Sequence, residues 1–402
     1  MPPRAQPVSR LRGSVLVIVL VTIVFTTAAL LVLMERATDD LLIPTRDADA
    51  RRLRVEAYSA LETVVGVLED FRIVNNGLHS SAEGWQDPLV FAGYEPKPGR
   101  TIEVSFIDES GKLSLPAATE QSLKDLFKVW EVPPTDSDKL VDSLLTWMKK
   151  DHAPITAGVT RAEDYERDPL PFLPPGRSLR NWAELASIDG VREVFFDEEG
   201  NPTELGKRFT EAFSLYKFDK PNVNAVVGDT LQAVGGYDEF QRNRLIEYVT
   251  GEGAYAHKGP GFFNDVGEVS RIASSSGQTT GGEFGTTISA LWIVVTVREG
   301  RGAFQLRALI APKSGGATIP EAGTYPGSIG ANAGQTTTSA ASTAAGTTGG
   351  QTARATTGGS TGGTNTGTAT AAGNLNYPFT VLEIHENDVI APAPPPVAPP
   401  LP

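Results

Sequence analysis

The chain has no cysteine, only three methionines and only four histidines among its 402 residues. Without thiols neither a disulfide nor a thiolate metal centre can form, and the lack says nothing against an oxidising compartment. His79, His152, His257 and His385 stand far apart, and no phosphate-binding loop, G-x-S-x-G elbow or H-E-x-x-H pair occurs. An enzymatic reading therefore has little to rest on, and His385, alternating within a strand pattern, reads as a surface residue. Bases are also scarce, 35 against 48 acids for a net charge of -13. Phosphate backbones are gripped by clustered Lys and Arg, so this balance argues against nonspecific nucleic-acid binding.

Charge is wholly missing from Ser14 to Met34, a run of 21 residues reading SVLVIVLVTIVFTTAALLVLM. A helix rises about 1.5 Å per residue, so the run matches a hydrocarbon core about 30 Å thick. It is too long for the h-region of an ordinary secretory signal. Arg4, Arg10 and Arg12 precede it, whereas Glu35, Arg36, Asp39 and Asp40 after it sum to minus two. The positive-inside bias then keeps the short N-terminus cytoplasmic and everything beyond Met34 on the far side.

With 41 glycines and 29 prolines, much of the chain is not packed core, and two folded regions plus linkers are expected. Leu53, Ala57, Ala60, Leu61, Val64, Val65 and Leu68 recur at helical spacing within Ala48 to Val74, with Pro44 expected to kink or interrupt the helix before them. Thr101 to Ile107 alternates as a half-buried strand. Ser289 to Arg298 and Ala303 to Ala311 read as a hairpin around Glu299-Gly300-Arg301-Gly302, and Tyr377 to Glu386 as a further strand. Between the first strand and the hairpin the pattern is helical, so a helical domain is expected inside a sheet domain. Ser314 to Asn376 is dominated by Gly, Thr, Ala and Ser, with Glu321 and Arg354 as its only charges, a flexible insertion by composition. Ala391 to Pro402 favours polyproline geometry.

Within the helical region, Leu123, Leu126, Phe127 and Trp130 form one apolar stripe and Leu140, Val141, Leu144, Leu145 and Met148 another. Pro133-Pro134-Thr135 separates two short antiparallel helices, with Thr135 or Asp136 expected to cap the second. Trp182, Leu185 and Ile188 are placed on a helix ended by Gly190, and Asp238 to Thr250 on another. The string Leu185 to Val191 looks like half of a helix-hairpin-helix element, but Arg192 stands where a phosphate nest needs glycine. A membrane-tethered DNA-binding or competence protein is the alternative that string supports. Acids cluster at Asp151, Glu163, Asp164, Glu166 and Asp168, and loops with two or three carboxylates can supply oxygens to calcium. A solvated acidic loop is the other reading of the same residues.

The junction Arg12-Gly13-Ser14, a basic residue and a glycine before an apolar helix, resembles the processing site of type IV prepilins and type II secretion pseudopilins. The resemblance implies cleavage between Gly13 and Ser14 by a prepilin peptidase, which takes the net charge from -13 to -16. A plain uncleaved anchor is the other reading. Most such chains carry glutamate at the fifth mature position, where this one has Ile18. A carboxylate in a bilayer is costly unless paired, and a subunit with no neighbour above it has nothing to pair with. Lack of that acid is a trait of the minor pseudopilin K family (GspK). Further strings resemble the family in order along the chain: Phe106 to Leu113, Lys139 to Trp147, Ala162 to Tyr165 and Pro221 to Ala225.

This resemblance implies an α+β fold: a long N-terminal transmembrane and amphipathic helix packed on an antiparallel pseudopilin-type sheet, with an inserted all-α domain of SAM or helix-hairpin-helix type. The expected divisions are a leader over 1–13, a membrane helix over 14–34, helix continuation and first sheet part over 35–112, and a helical insertion over 113–285. A hairpin over 286–313, the Gly/Thr-rich insertion over 314–376, a terminal strand over 377–390 and a tail over 391–402 follow. The implied function is a non-enzymatic minor pseudopilin at the tip of the pseudopilus, anchored once in the bacterial inner membrane with its body in the periplasm. Minor pseudopilins I and J, the prepilin peptidase and the inner-membrane secretion platform are the implied partners, with no nucleic acid. The family also implies calcium in the inserted domain, for which Asp151, Glu163 and Asp164 are the candidates here. Lys149 and Lys150 replace acids of the family's pattern beside them.

Overall fold

A computed structural model describes residues 14–167, 172–273, 280–300, 302–321 and 377–387. In chain order the helices are α1 (Ser14–Asn75), α2 (Pro88–Phe91), α3 (Glu120–Val129), α4 (Pro134–Met148), α5 (Arg192–Phe195), α6 (Glu204–Ala212), α7 (Gly228–Ala233), α8 (Glu239–Thr250) and α9 (Val266–Ile272). The strands are β1 (Arg100–Asp108), β2 (Leu113–Ser114), β3 (Phe213–Ser214), β4 (Leu291–Glu299), β5 (Gly302–Pro312) and β6 (Phe379–Glu386). The chain divides into two compact units: Met1–Ala117 with Glu211–Thr318 and Phe379–Pro402, and Ala118–Thr210 with Ile319–Pro378.

The first unit is built on α1 and a four-stranded antiparallel sheet ordered β1-β4-β5-β6. All seven apolar residues of the stripe from Leu53 to Leu68 are buried, because three- and four-residue spacing puts them on one face, and that part of α1 packs on β4 and β5. Facing it are Ile293, Val295 and Val297 of β4 and Leu306 and Ala308 of β5, all fully buried and paired across the hairpin. Glu299 pairs with Gly302, so the hairpin loop has two residues, which suits the twist of antiparallel strands. A second apolar cluster gathers Val223, Leu231, Tyr237, Leu245, Phe263, Val269 and Phe284 in this same unit. Residues 211–285, read from sequence as part of the insertion, thus group with the sheet. The short parallel pair of β2 with β3 had no signal in the sequence, being two residues on each side.

In the second unit α3 packs on α4 through Leu123, Leu126, Leu140 and Leu144, each fully buried. Phe209 from α6 stacks on Phe127 at 6.2 Å and lies 5.0 Å from Phe195. Elements from Ala118 to Thr210 are helices and 3₁₀ turns, apart from one isolated bridge between Phe196 and Pro202.

Three local expectations are corrected. Helix α1 runs through Pro44 without interruption, since proline removes one intrahelical donor but leaves the remaining ladder on either side. The N-cap of α4 is Pro133, not Thr135 or Asp136, and Pro134 takes the first helical position, where its missing N–H costs nothing. Gly190 does not end a helix. Trp182–Ser187 is a 3₁₀ helix, Ile188 is extended, and Asp189–Val191 is a second 3₁₀ turn that leads directly into α5. Leu185, Ile188 and Val191 are all buried at spacing three, the 3₁₀ period. Gly190 is small because a Cβ there would stand 2.9 Å from the Ser143 hydroxyl oxygen of α4.

Candidate functional site

The N-terminal part of α1 presents Val17 to Met34, 18 residues none of which is buried, and this span is long and apolar enough to cross a membrane once. Thr22, Thr26 and Thr27 turn their hydroxyls back onto carbonyls four residues earlier at 2.6 to 2.8 Å, so no polar group in the span lacks a partner through its side chain. Ile18 sits on this surface and is 63% exposed. Ser14 opens the helix, and Gly13 lies outside the described residues.

Past the span, α1 is fastened to the sheet by charge as well as by apolar packing. Glu56 is buried within the stripe and receives the Tyr94 hydroxyl at 3.0 Å and Arg100 Nη1 at 3.0 Å. Arg100 also donates from Nε to Glu299 at 3.0 Å, so one guanidinium ties α1, β1 and β4. Burial pushes the Glu56 carboxyl up, but the Tyr94 hydroxyl, the Lys97 amide and Arg100 together hold it below its ordinary value. At the other end of the sheet Glu386 receives Arg54 Nε at 2.9 Å and the Tyr58 hydroxyl at 2.7 Å. Sequence reading missed Glu56, although one acid inside the apolar face of a helix was the signal for it.

Two of the resembling strings, far apart in sequence, form one buried polar knot. Asp108 closes β1, and its Oδ1 accepts from the Ser110 amide at 2.8 Å and the Ser110 hydroxyl at 2.5 Å. Its Oδ2 accepts from Asn222 Nδ2 at 2.7 Å, and the same amide group donates to the His79 carbonyl at 2.9 Å. Asn224 accepts from the Phe263 amide at 2.7 Å and donates to the Thr286 carbonyl at 3.0 Å. Gly111 lies against Ala225, where a Cβ would stand 2.5 Å from the carbonyl oxygen. Burial pushes the Asp108 carboxyl up to about 6, although Ser110 and Asn222 donate to its charged form. Beside the knot His79 Nδ1 lies 2.5 Å from Glu83, which also receives Trp85 Nε1 at 3.0 Å. His79 and Glu83 are close partners that a sequence scan for catalytic spacing passed over.

The other two strings meet in the second unit. Asp142 of α4 lies 2.5 Å from His152 Nε2 and accepts the amides of Ile155 at 2.8 Å and Thr156 at 2.7 Å. Burial raises its pKa, and these three donors overcome that to leave it lowered. Trp147 and Tyr165 pack edge to face at 5.9 Å, and the Tyr165 oxygen accepts the Asp189 amide at 3.2 Å. The half helix-hairpin-helix string is therefore a packing element, and its Arg192 is engaged by Asp189 at 3.2 Å. Nothing in this geometry favours the DNA-binding alternative.

The candidate calcium ligands fare differently. Asp151 and Glu163 are exposed, Asp164 accepts from the Arg161 amide at 3.4 Å, and Asp168 lies outside the described residues. Among the described residues no three His, Asp or Glu side chains come together to hold a metal ion.

Residues 106–198 match the family described as type II secretion system (T2SS), protein K. That span runs from the Asp108 knot through α4, Tyr165 and Gly190. That segment is similar to the protein K family. A solved structure that is similar to it comes from the GspK-GspI-GspJ complex of the enterotoxigenic Escherichia coli type 2 secretion system. It shares 15% identity with a TM-score of 0.47, over 69% of this chain and 98% of that one. No curated protein sequence matches the chain. Within the protein K segment, Asp108, Asp142, Tyr165 and Gly190 each serve a contact described above.

Proposed function

We propose that the chain is a non-enzymatic minor pseudopilin that caps the pseudopilus of a bacterial type II secretion system and takes part in protein export across the outer membrane. One observation carries this reading: a single continuous helix whose first part is an unburied apolar span and whose second part is locked onto a sheet by Glu56, Arg100 and the Leu53 to Leu68 stripe. Such a rod stores the subunit in a bilayer and can pack sideways against sister rods. Prepilin peptidase cuts between Gly13 and Ser14, the body stands in the periplasm, and the span is held in the inner membrane. Ile18 supports the tip position, because a subunit with nothing above it needs no carboxylate to pair with the next terminal amine. Minor pseudopilins I and J are the proposed partners through α1, with the inner-membrane platform below. Deletion of the gene in its host, followed by measurement of secreted protein in the medium, tests the reading. Loss of export with unchanged periplasmic synthesis supports it, and full export without the protein refutes it.

A further inference from the structure

The four-stranded sheet has two edges, and the chain treats them differently. Along β6 the register shifts between Leu309 and Ile310, the acids Glu383 and Glu386 stand on the strand with His385 between them, and Arg54 and Tyr58 clasp its end. Bulges and charges of this kind keep foreign strands from adding to a sheet. On β1 the guards are fewer, because the charges at its two ends, Arg100 and Asp108, are both taken up by partners inside the molecule. Its nine residues pair with β4 in an unbroken register, and between Thr101 and Ile107 there is no proline, no lysine and a single charge, Glu103. Among the described residues no backbone hydrogen bond joins Thr101 to Ile107 to any element but β4. Alternate residues of β1 therefore turn N–H and C=O groups outward, since an antiparallel strand spends only every second pair on one neighbour.

A groove of about 720 Å³ runs beside that edge, lined by Val104 and Phe106 of β1, by Trp85 and by Ile288. Trp85 packs edge to face on Phe106 at 4.9 Å, which fixes one wall. Asp108 is in the lining, and no lysine or arginine is.

We propose that the free edge of β1 is a docking site for an extended, basic segment of a separate partner protein, which adds to the sheet as a fifth strand beside Val104 and Phe106. An outward row of amides and carbonyls is matched by another extended backbone, and the groove takes every second side chain of it as an apolar group. The sign of the partner follows from charge: of the β1 charges Arg100, Glu103 and Asp108, the single base is already paired with Glu56 and Glu299, which leaves the edge negative, and the whole chain carries -13. Cross-strand lysine opposite Glu103 is favourable, and a like charge there is not. A second copy of this chain would bring its own Glu103 and its own acidic surface to the contact. The stretch Ala391 to Pro402 has seven prolines in twelve residues, each without the amide donor that a strand uses. This inference is independent of the secretion reading.

The test uses the full chain in detergent and a fluorescent heptapeptide, Lys-Val-Thr-Val-Thr-Val-Lys. Anisotropy at low salt is expected to show saturable binding, at least tenfold weaker when the central valine is proline or when both lysines are glutamate. Hydrogen exchange on the same mixture is expected to show new amide protection over 100–108 and none over 379–386. Ser105→Lys, on the exposed face of β1, weakens binding at least tenfold while β4 and β5 amides keep their protection, which shows the sheet intact. Absence of saturable binding, equal binding of the proline peptide, or protection away from β1 overturns the proposal. Protection of β1 that rises with protein concentration in the absence of peptide assigns the edge to a second copy and also overturns it.

Discussion

The side-chain amide of the buried Asn222 donates to the half-buried Asp108 carboxylate at 2.7 Å across 114 positions of sequence. Because burial raises the folded-state value to about 6 above the ordinary 3.8, the native state holds the Asp108 proton more tightly than the unfolded chain does. Its contribution to stability is then fully present below pH 3.8 and is lost as pH rises through about 6. Acidification from pH 7.5 to 5 should stabilise the wild type relative to Asp108→Asn by about 1 kcal/mol through this group. Thermal unfolding of both proteins at the two pH values checks it, and an identical pH response would contradict it.

Glu56 makes the opposite case. Its carboxyl is held below the ordinary value, so the stability it supplies is present above pH 4.5 and is lost as pH falls through its lowered folded value. Glu56→Ala leaves Arg100 facing a buried gap and should cost about 3 kcal/mol at pH 7, as breaking one side of a buried pair commonly does. Glu56→Gln, which can still accept from Tyr94 and Arg100, should cost less than half of that. Chemical denaturation of the three proteins gives both numbers.

Much of this was legible before any coordinates. The α1 stripe, the β1 alternation, the hairpin and the two apolar helices of the second unit follow from periods of 3.6 and 2, which single side chains enforce locally. The Asp108 knot was legible only as two separate strings. Nothing in either string says that Asn222 reaches Asp108, because that distance is set by how residues 211–285 return to the sheet. The 3₁₀ character around Ile188 was hidden for a related reason: spacing of three fits an α stripe nearly as well, and Gly190 looked like a stop signal when its role is close approach to Ser143. The charges fastening α1, Glu56 with Arg100 and Arg54 with Glu386, pair residues 44 and 332 positions apart and leave no periodic trace.

Gly190→Ala should destabilise the second unit by about 1 to 2 kcal/mol, because its Cβ would press on the Ser143 hydroxyl 2.9 Å away. Ser143→Ala removes that oxygen and leaves Ser143 Cβ at 3.8 Å, an ordinary contact. The double variant should therefore recover most of the loss, giving a coupling that a thermal double-mutant cycle measures directly.

Ile18→Glu should leave the melting temperature of the folded body unchanged, because Ile18 is exposed and makes no packing contact with the sheet. In the host it should lower secretion and reduce crosslinking of the subunit to its neighbours at the tip, since an unpaired carboxylate is then placed in a bilayer. Equal secretion with equal crosslinking would contradict the pairing argument.

The most direct measurement is the mass of the N-terminal peptide of the chain purified from its own host. The account predicts a polypeptide that begins at Ser14, with Arg4, Arg10 and Arg12 removed and the apolar helix retained. A chain that still begins at Met1 or Pro2 in cells with an active prepilin peptidase would contradict it.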